Sequence, residues 1–190
     1  MNRIKKRFDN LISSQKKGLI TFVTAGDPSL EQTVNIMHSL VRGGSDLIEL
    51  GVPFSDPIAD GPTIQRSSER ALNSGADLDS ILKLVQQFRL DDSVTPVVLM
   101  GYLNPIENTG YDEFARNAKI SGVDGVLVVD MPPEESGDLN KALKKNSVDQ
   151  IFLVAPNSPK SRVKQLASMA SGFIYFVSVK GVTGDKGIDT

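Results

Sequence analysis

The sequence predicts an α/β protein of the (β/α)8 TIM-barrel type that stops after its sixth strand. Three observations predict it: short apolar runs recur six times along the 190 residues, helical patterns lie between them, and two of the repeating units share wording. Strands alternating with helical segments mean βαβ units, and near-continuous apolarity without strict alternation is what a parallel strand covered on both faces requires.

In chain order, Ile4, Phe8, Leu11 and Ile12 recur at i, i+4, i+7 and i+8, giving one apolar helical face beside Arg3, Lys5, Lys6 and Arg7. A helix lying on a membrane surface has a similar pattern. Asp9 interrupts the charge and the segment is short, so the expectation is a helix that covers one end of the barrel. The strand runs are Leu19 to Thr24, Asp46 to Leu50, Pro96 to Met100, Gly125 to Val129, Gln150 to Val154 and Phe173 to Ser178. Between the first two, Leu30, Val34, Met37 and Val41 fall on one helical face. Between the second and third, Thr63 to Asn73 is helical, and Leu78, Ile81, Leu82, Val85 and Phe88 form another face. Phe114, Ala118 and Lys119 belong to a shorter helix.

Gly44-Ser45-Asp46 and Gly122-Val123-Asp124 each lead directly into a strand, and a proline follows that strand, Pro53 or Pro132. Glycine ends the helix in each case. The self-similarity favours a barrel over an open doubly wound sheet. Residues 1–190 read as a single domain. A closed barrel needs eight strands, so strands seven and eight lie outside this sequence, and the first and sixth strands would expose their edges. Either a C-terminal part is missing, or a partner or a rearrangement covers those edges.

Composition narrows the function. The apolar content of 39% is ordinary for a globular protein, and the net charge of −2 with scattered basic residues provides no footprint for a nucleic-acid backbone. There is no cysteine and a single histidine, His38, so thiol chemistry, disulfides and multi-histidine metal sites are excluded. No run approaches the roughly 20 apolar residues of a membrane span, and the N-terminus has no signal-like apolar stretch, so a cytoplasmic protein is expected. His38 sits in the first helix after the first strand and is expected to be a partly buried packing residue.

In barrel enzymes the site forms where strands end and βα loops begin. Alternation along the second strand puts Leu47 and Glu49 on one face and Ile48 and Leu50 on the other. With Ile48 and Leu50 toward the helices, Glu49 points inward among Phe22, Met100 and Tyr175, where desolvation raises a carboxyl's pKa. A strand glutamate satisfied by a basic partner is the bland alternative, but no Lys or Arg sits at a neighbouring strand end before Lys180. Asp60 has two readings: a functional carboxylate, or the N-cap of the helix that follows Asp60-Gly61-Pro62. Asp130, at the end of the fourth strand, is expected to anchor a loop. Gly181 to Gly187 matches neither a P-loop nor a dinucleotide fingerprint and suits a closing loop.

The segment Leu47-Ile-Glu-Leu-Gly-Val-Pro-Phe-Ser-Asp-Pro-Ile-Ala-Asp-Gly-Pro62 resembles the signature of the tryptophan synthase alpha subunit family. Further likenesses are Phe22 to Pro28, Met100-Gly-Tyr-Leu-Asn-Pro105, Gly125 to Pro133 and Gly181-Val-Thr-Gly184. The resemblance implies a (β/α)8 lyase of tryptophan biosynthesis that cleaves indole-3-glycerol phosphate to indole and glyceraldehyde 3-phosphate. It implies Glu49 as acid and base, and Asp60 as the carboxylate accepting the indole N–H. It further implies that Phe22, Met100, Leu127 and Tyr175 line the indole pocket, with Thr183 bonding to Asp60 and Gly184 beside it. Pro53, Asp56, Asn104 and Asn108 match the region that meets a beta subunit in an alpha2-beta2 assembly. Pyridoxal phosphate is then expected on that partner, with no cofactor and no metal on this chain.

Two departures matter. Barrel phosphate sites are usually made by loops after strands seven and eight, so phosphate binding is expected to be weak if the protein ends at Thr190. Val179 and Lys180 differ from an arginine-bearing version of the closing loop. A shortened chain that only docks on and activates a beta subunit is the second reading, and a barrel enzyme for another phosphorylated substrate is the third.

Overall fold

Parallel pairing runs without a break from the first strand to the last, in sheet order β1-β2-β3-β4-β5-β6. The structure is a computed structural model and describes residues 2–177. The strands are β1 (Ile20–Thr24), β2 (Leu47–Gly51), β3 (Val97–Gly101), β4 (Gly125–Val128), β5 (Asp149–Val154) and β6 (Ile174–Phe176). Each expected strand is present with its described ends at most two residues away, and β6 is the shortest; Ser178, the expected end of the sixth, lies outside the described residues. The helices are α1 (Arg3–Ser13), α2 (Leu30–Arg42), α3 (Pro62–Asn73), α4 (Leu78–Asp91), α5 (Leu103–Thr109), α6 (Tyr111–Ser121), α7 (Gly137–Lys145) and α8 (Lys160–Met169). None of them is long and apolar enough to cross a membrane.

Strand alternation divides the core in two. Ile48, Leu50, Val97, Leu99 and Val126 face outward and pack with Val34, Met37, Ile81, Val85, Phe88 and Phe114 of the helices. Leu47, Val98, Met100, Leu127 and Ile151 face inward with Phe22 and Tyr175. The inner core is closed from below by α1, whose Ile4 is fully buried there. Phe8 meets Phe173 with ring centroids 5.7 Å apart. The expected helix covering the barrel end is therefore present, with one correction: Ile12 is 73% exposed and does not share the buried face. Helical spacing alone over-counts the face: of its residues, Ile4 and Phe8 pack in the inner core and Ile12 does not.

The repeated Gly-x-Asp wording has a structural meaning. Asp46 accepts the Leu19 N–H at 2.8 Å, and Asp124 accepts the Val97 N–H at 2.9 Å. Each aspartate thus ties the start of its strand to the backbone at the start of the preceding strand. Asp124 also accepts from Arg3 at 2.9 Å and Arg89 at 2.8 Å.

His38 is a packing residue as expected. Its ring lies 4.7 Å from that of Phe88, and Nε2 is buried without a hydrogen bond.

Candidate active site

At the carboxyl ends of β1 to β3, Phe22, Thr24, Gly51, Val52, Met100 and Gly101 line a narrow cleft. Asp60 before α3, Ile64 and Ser68 on α3, Tyr102 after β3 and Val129 after β4 complete it. Gly51 makes this space. A Cβ at that position would lie 2.6 Å from Phe22 Cζ. Gly51→Ala is accordingly expected to push Phe22 aside and lower stability by roughly 1–3 kcal/mol in urea unfolding.

Glu49 lies one inward position below Gly51 on β2, paired in register with Phe22 of β1 and Val98 of β3. It is therefore beneath the cleft rather than one of its walls. Its residue is 4% exposed, and Oε1 is buried with no hydrogen-bond partner. Nothing offsets the desolvation, which pushes the carboxyl from the ordinary 4.5 to about 7. Inward orientation is what the strand alternation predicts, and no cation sits against the group among the described residues. Tyr175, half-buried on β6, has its hydroxyl pushed up by burial and then by the Glu49 charge, so the two side chains share one environment.

Asp60 is not a helix cap. Gly61 is the N-cap residue of α3, with no side-chain cap bond. The Asp60 side chain instead takes the Tyr102 hydroxyl on Oδ2 at 3.0 Å. Proline at the first helical position presets φ for the helix start. Burial pushes the Asp60 carboxyl up, and the Tyr102 hydrogen bond opposes that rise.

Of the other site residues expected from the sequence, Phe22 and Met100 line the cleft with Asp60. Leu127 is fully buried in the inner core and pairs in register with Met100. Thr183 and Gly184 lie outside the described residues. Pro53 is buried, while Asp56, Asn104 and Asn108 are exposed on the rim formed by the β2–α3 connection and α5. Asp130 anchors a loop as expected, accepting the Leu103 N–H at 2.9 Å. Among the described residues no group of three or more His, Cys, Asp or Glu side chains could hold a metal ion.

Tyr102 is the site residue that sequence reasoning did not single out. Its place directly after β3, two residues beyond Met100, was the available signal, since that is where barrel sites gather their polar groups.

Comparison with known proteins agrees with this architecture. Residues 8–189 match the family described as "Tryptophan synthase alpha chain". The tryptophan synthase alpha chain of Polynucleobacter asymbioticus is 57% identical over 190 residues, covering 100% of this chain and 72% of that one. The crystal structure of tryptophan synthase subunit alpha from Legionella pneumophila superposes with a TM-score of 0.92 at 48% identity, covering 94% of this chain and 68% of that one. A structure of the Pyrococcus furiosus tryptophan synthase a2b2 complex, described for its mutual activation, gives a TM-score of 0.80 at 45% identity, with 84% of this chain and 67% of that one covered. On this sequence identity and the shared barrel, the chain belongs to the tryptophan synthase alpha chain family.

Proposed function

We propose that Glu49 and Asp60 carry the reaction of the alpha chain, the lyase step that cleaves indole-3-glycerol phosphate to indole and glyceraldehyde 3-phosphate. The observation that supports this most is the buried Glu49 carboxyl with Oε1 unpaired and its pKa pushed up to about 7. A group of that kind holds a proton near neutrality and also gives it up, as a general acid and base must.

The bond from indole C3 to the side chain breaks only after C3 is protonated and the ring becomes an electron sink. Glu49 delivers that proton from beneath the cleft. As the bond opens, its electron pair returns to the ring, and the side-chain hydroxyl loses its proton to the Glu49 carboxylate, leaving an aldehyde. Asp60 accepts the indole N–H and stabilises the positive charge that grows on the nitrogen, which requires an ionised group. Phe22 and Met100 supply the apolar walls of the cleft, with Leu127 and Tyr175 in the inner core beside them; the roles expected of Thr183 and Gly184 lie outside the described residues. No cofactor belongs to this chain. Pyridoxal phosphate belongs to a beta subunit, which docks on the rim at Asp56, Asn104 and Asn108 beside the buried Pro53 and receives the indole, in a cytoplasmic alpha2-beta2 assembly.

The test is indole release from indole-3-glycerol phosphate, with and without a beta chain, comparing the protein with Asp60→Asn. Because Asp60 caps nothing, the amide is expected to leave the urea midpoint almost unchanged while lowering kcat by about 10²–10³-fold, the scale of losing one electrostatic stabiliser. Full turnover in that variant would remove Asp60 from the mechanism.

A further inference from the structure

We propose that Tyr102 is the positioning residue for Asp60: its hydroxyl grips Oδ2 and so fixes the rotation of the carboxylate, leaving Oδ1 for the substrate. The proposal rests on the reading of Asp60 as the partner of the ring nitrogen.

The phenol is itself held on three sides. Tyr102 is 4% exposed, and its ring stacks on Phe54 with centroids 5.2 Å apart and planes at 27°. The next residue, Leu103, donates its N–H to Asp130 at 2.9 Å, which pins the backbone where β3 passes into α5. The Tyr102 hydroxyl accepts the Ala59 N–H at 2.9 Å and stands 3.0 Å from Asp60 Oδ2.

A phenol has one proton to give. With a lone pair occupied by the Ala59 amide, that proton is directed to Asp60, and the accepted bond strengthens the donated one. Burial, and then the neighbouring carboxylates, push the Tyr102 hydroxyl well above its ordinary value, so it stays a donor throughout the neutral range. Oδ1 accepts no hydrogen bond from the described residues. Desolvation favours the protonated, uncharged form of Asp60, and the Tyr102 bond is the force that opposes it. One contact therefore does two things, setting the orientation of the carboxylate and favouring its charge.

Tyr102→Phe separates this role from a merely structural one, because it keeps the ring and its stack on Phe54 and deletes only the hydroxyl. Two measurements are made on the chain assembled with a beta chain: steady-state indole release against pH, and the carbon-13 titration of the Asp60 carboxyl by NMR. The expected results are a fall in kcat of roughly tenfold with KM little changed, the scale of one hydrogen bond to a charged group. The acid limb of the rate profile should move to higher pH, and Asp60 should titrate at higher pH. A carbon-13 titration superimposable on that of the unaltered chain overturns the proposal whatever the activity does. Should the unaltered chain release no indole while the Asp60 titration shifts as expected, the lyase reading fails and only the hold of Tyr102 on the carboxylate stands.

Discussion

Glu49→Gln is expected to lower indole release by 10²–10⁴-fold, the range spanned by general acid–base groups, while making the protein more stable in alkaline solution than the unaltered chain. The second half of this result follows from the same burial as the first. In the folded protein the Glu49 carboxyl titrates at about 7, against 4.5 for the ordinary group. Below pH 4.5 the group is protonated in both states, and its contribution to stability is fully present. As pH rises from there to 7, the unfolded chain releases the proton while the folded chain retains it, so the folded state loses ground. Above that window both forms are ionised, and the cost of a charged, unpaired carboxylate in the core is complete at about 3 kcal/mol. Glutamine has nearly the same shape and no charge, so the variant has no such slope. Urea unfolding at pH 5 and pH 8 measures it: the two proteins should be close in stability at the lower pH and separate at the higher. Parallel pH profiles would mean that Glu49 is ionised and satisfied in the folded state, and with that the acid role would be lost. Activity carries the matching signature, since the proton-donating form of Glu49 is depleted as pH passes 7 and protonation of the ring slows.

The parts of this molecule that were legible in the sequence are those set by local periodicity. Buried parallel strands need apolar residues on both faces, so the six runs announce themselves, and strict alternation within β2 is enough to turn Glu49 inward. The short helix α5 is hidden because Pro105 stands three residues into it and reads as a breaker, although proline is tolerated in a first helical turn where its missing N–H has no partner to lose. Contacts between distant segments were not legible. Tyr102 and Asp60 are separated by 42 positions, and only the folding of β3 beside β2 brings the phenol over the carboxylate. The two readings of Asp60 stayed open for the same reason: its own neighbours, Gly61 and Pro62, look like a helix start, and the residue that decides the matter comes from the next βα unit. Ile12 failed in the opposite direction, because periodicity reports which residues share a face but not how far the surface beneath them extends.

The largest loss of stability is expected from the opposite end of the strands, at Asp124. Its side chain is 6% exposed and that of Arg89 is 10% exposed. The aspartate takes the Val97 N–H as well as both arginines, so one carboxylate joins α1, α4 and the starts of β3 and β4. Other Arg89 donors go to main-chain carbonyls: Nε to Gly122 at 3.0 Å, and Nη1 to Thr95 at 2.7 Å and Asp92 at 3.2 Å. Burial pulls the guanidinium down only to about 10, so it is charged at every physiological pH, with Asp92 a weaker counter-charge and Asp124 its direct ion-pair partner. Asp124→Leu removes that charge, leaves Arg89 buried without it, and orphans the Val97 amide. A loss of roughly 3–5 kcal/mol is expected in urea unfolding, the usual scale for breaking a buried ion pair from one side. Replacing both partners, Asp124→Leu with Arg89→Met, should restore much of the loss, because the desolvated cation goes with its counter-ion. This cluster lies at the amino ends of the strands, away from Glu49 and Asp60, so turnover per folded molecule should be unchanged while the folded fraction falls. An Asp124→Leu protein that unfolds at the unaltered urea midpoint would show that the pair holds nothing together, and a double variant weaker than the single one would show that Arg89 stabilises the fold through its carbonyl contacts rather than through its charge.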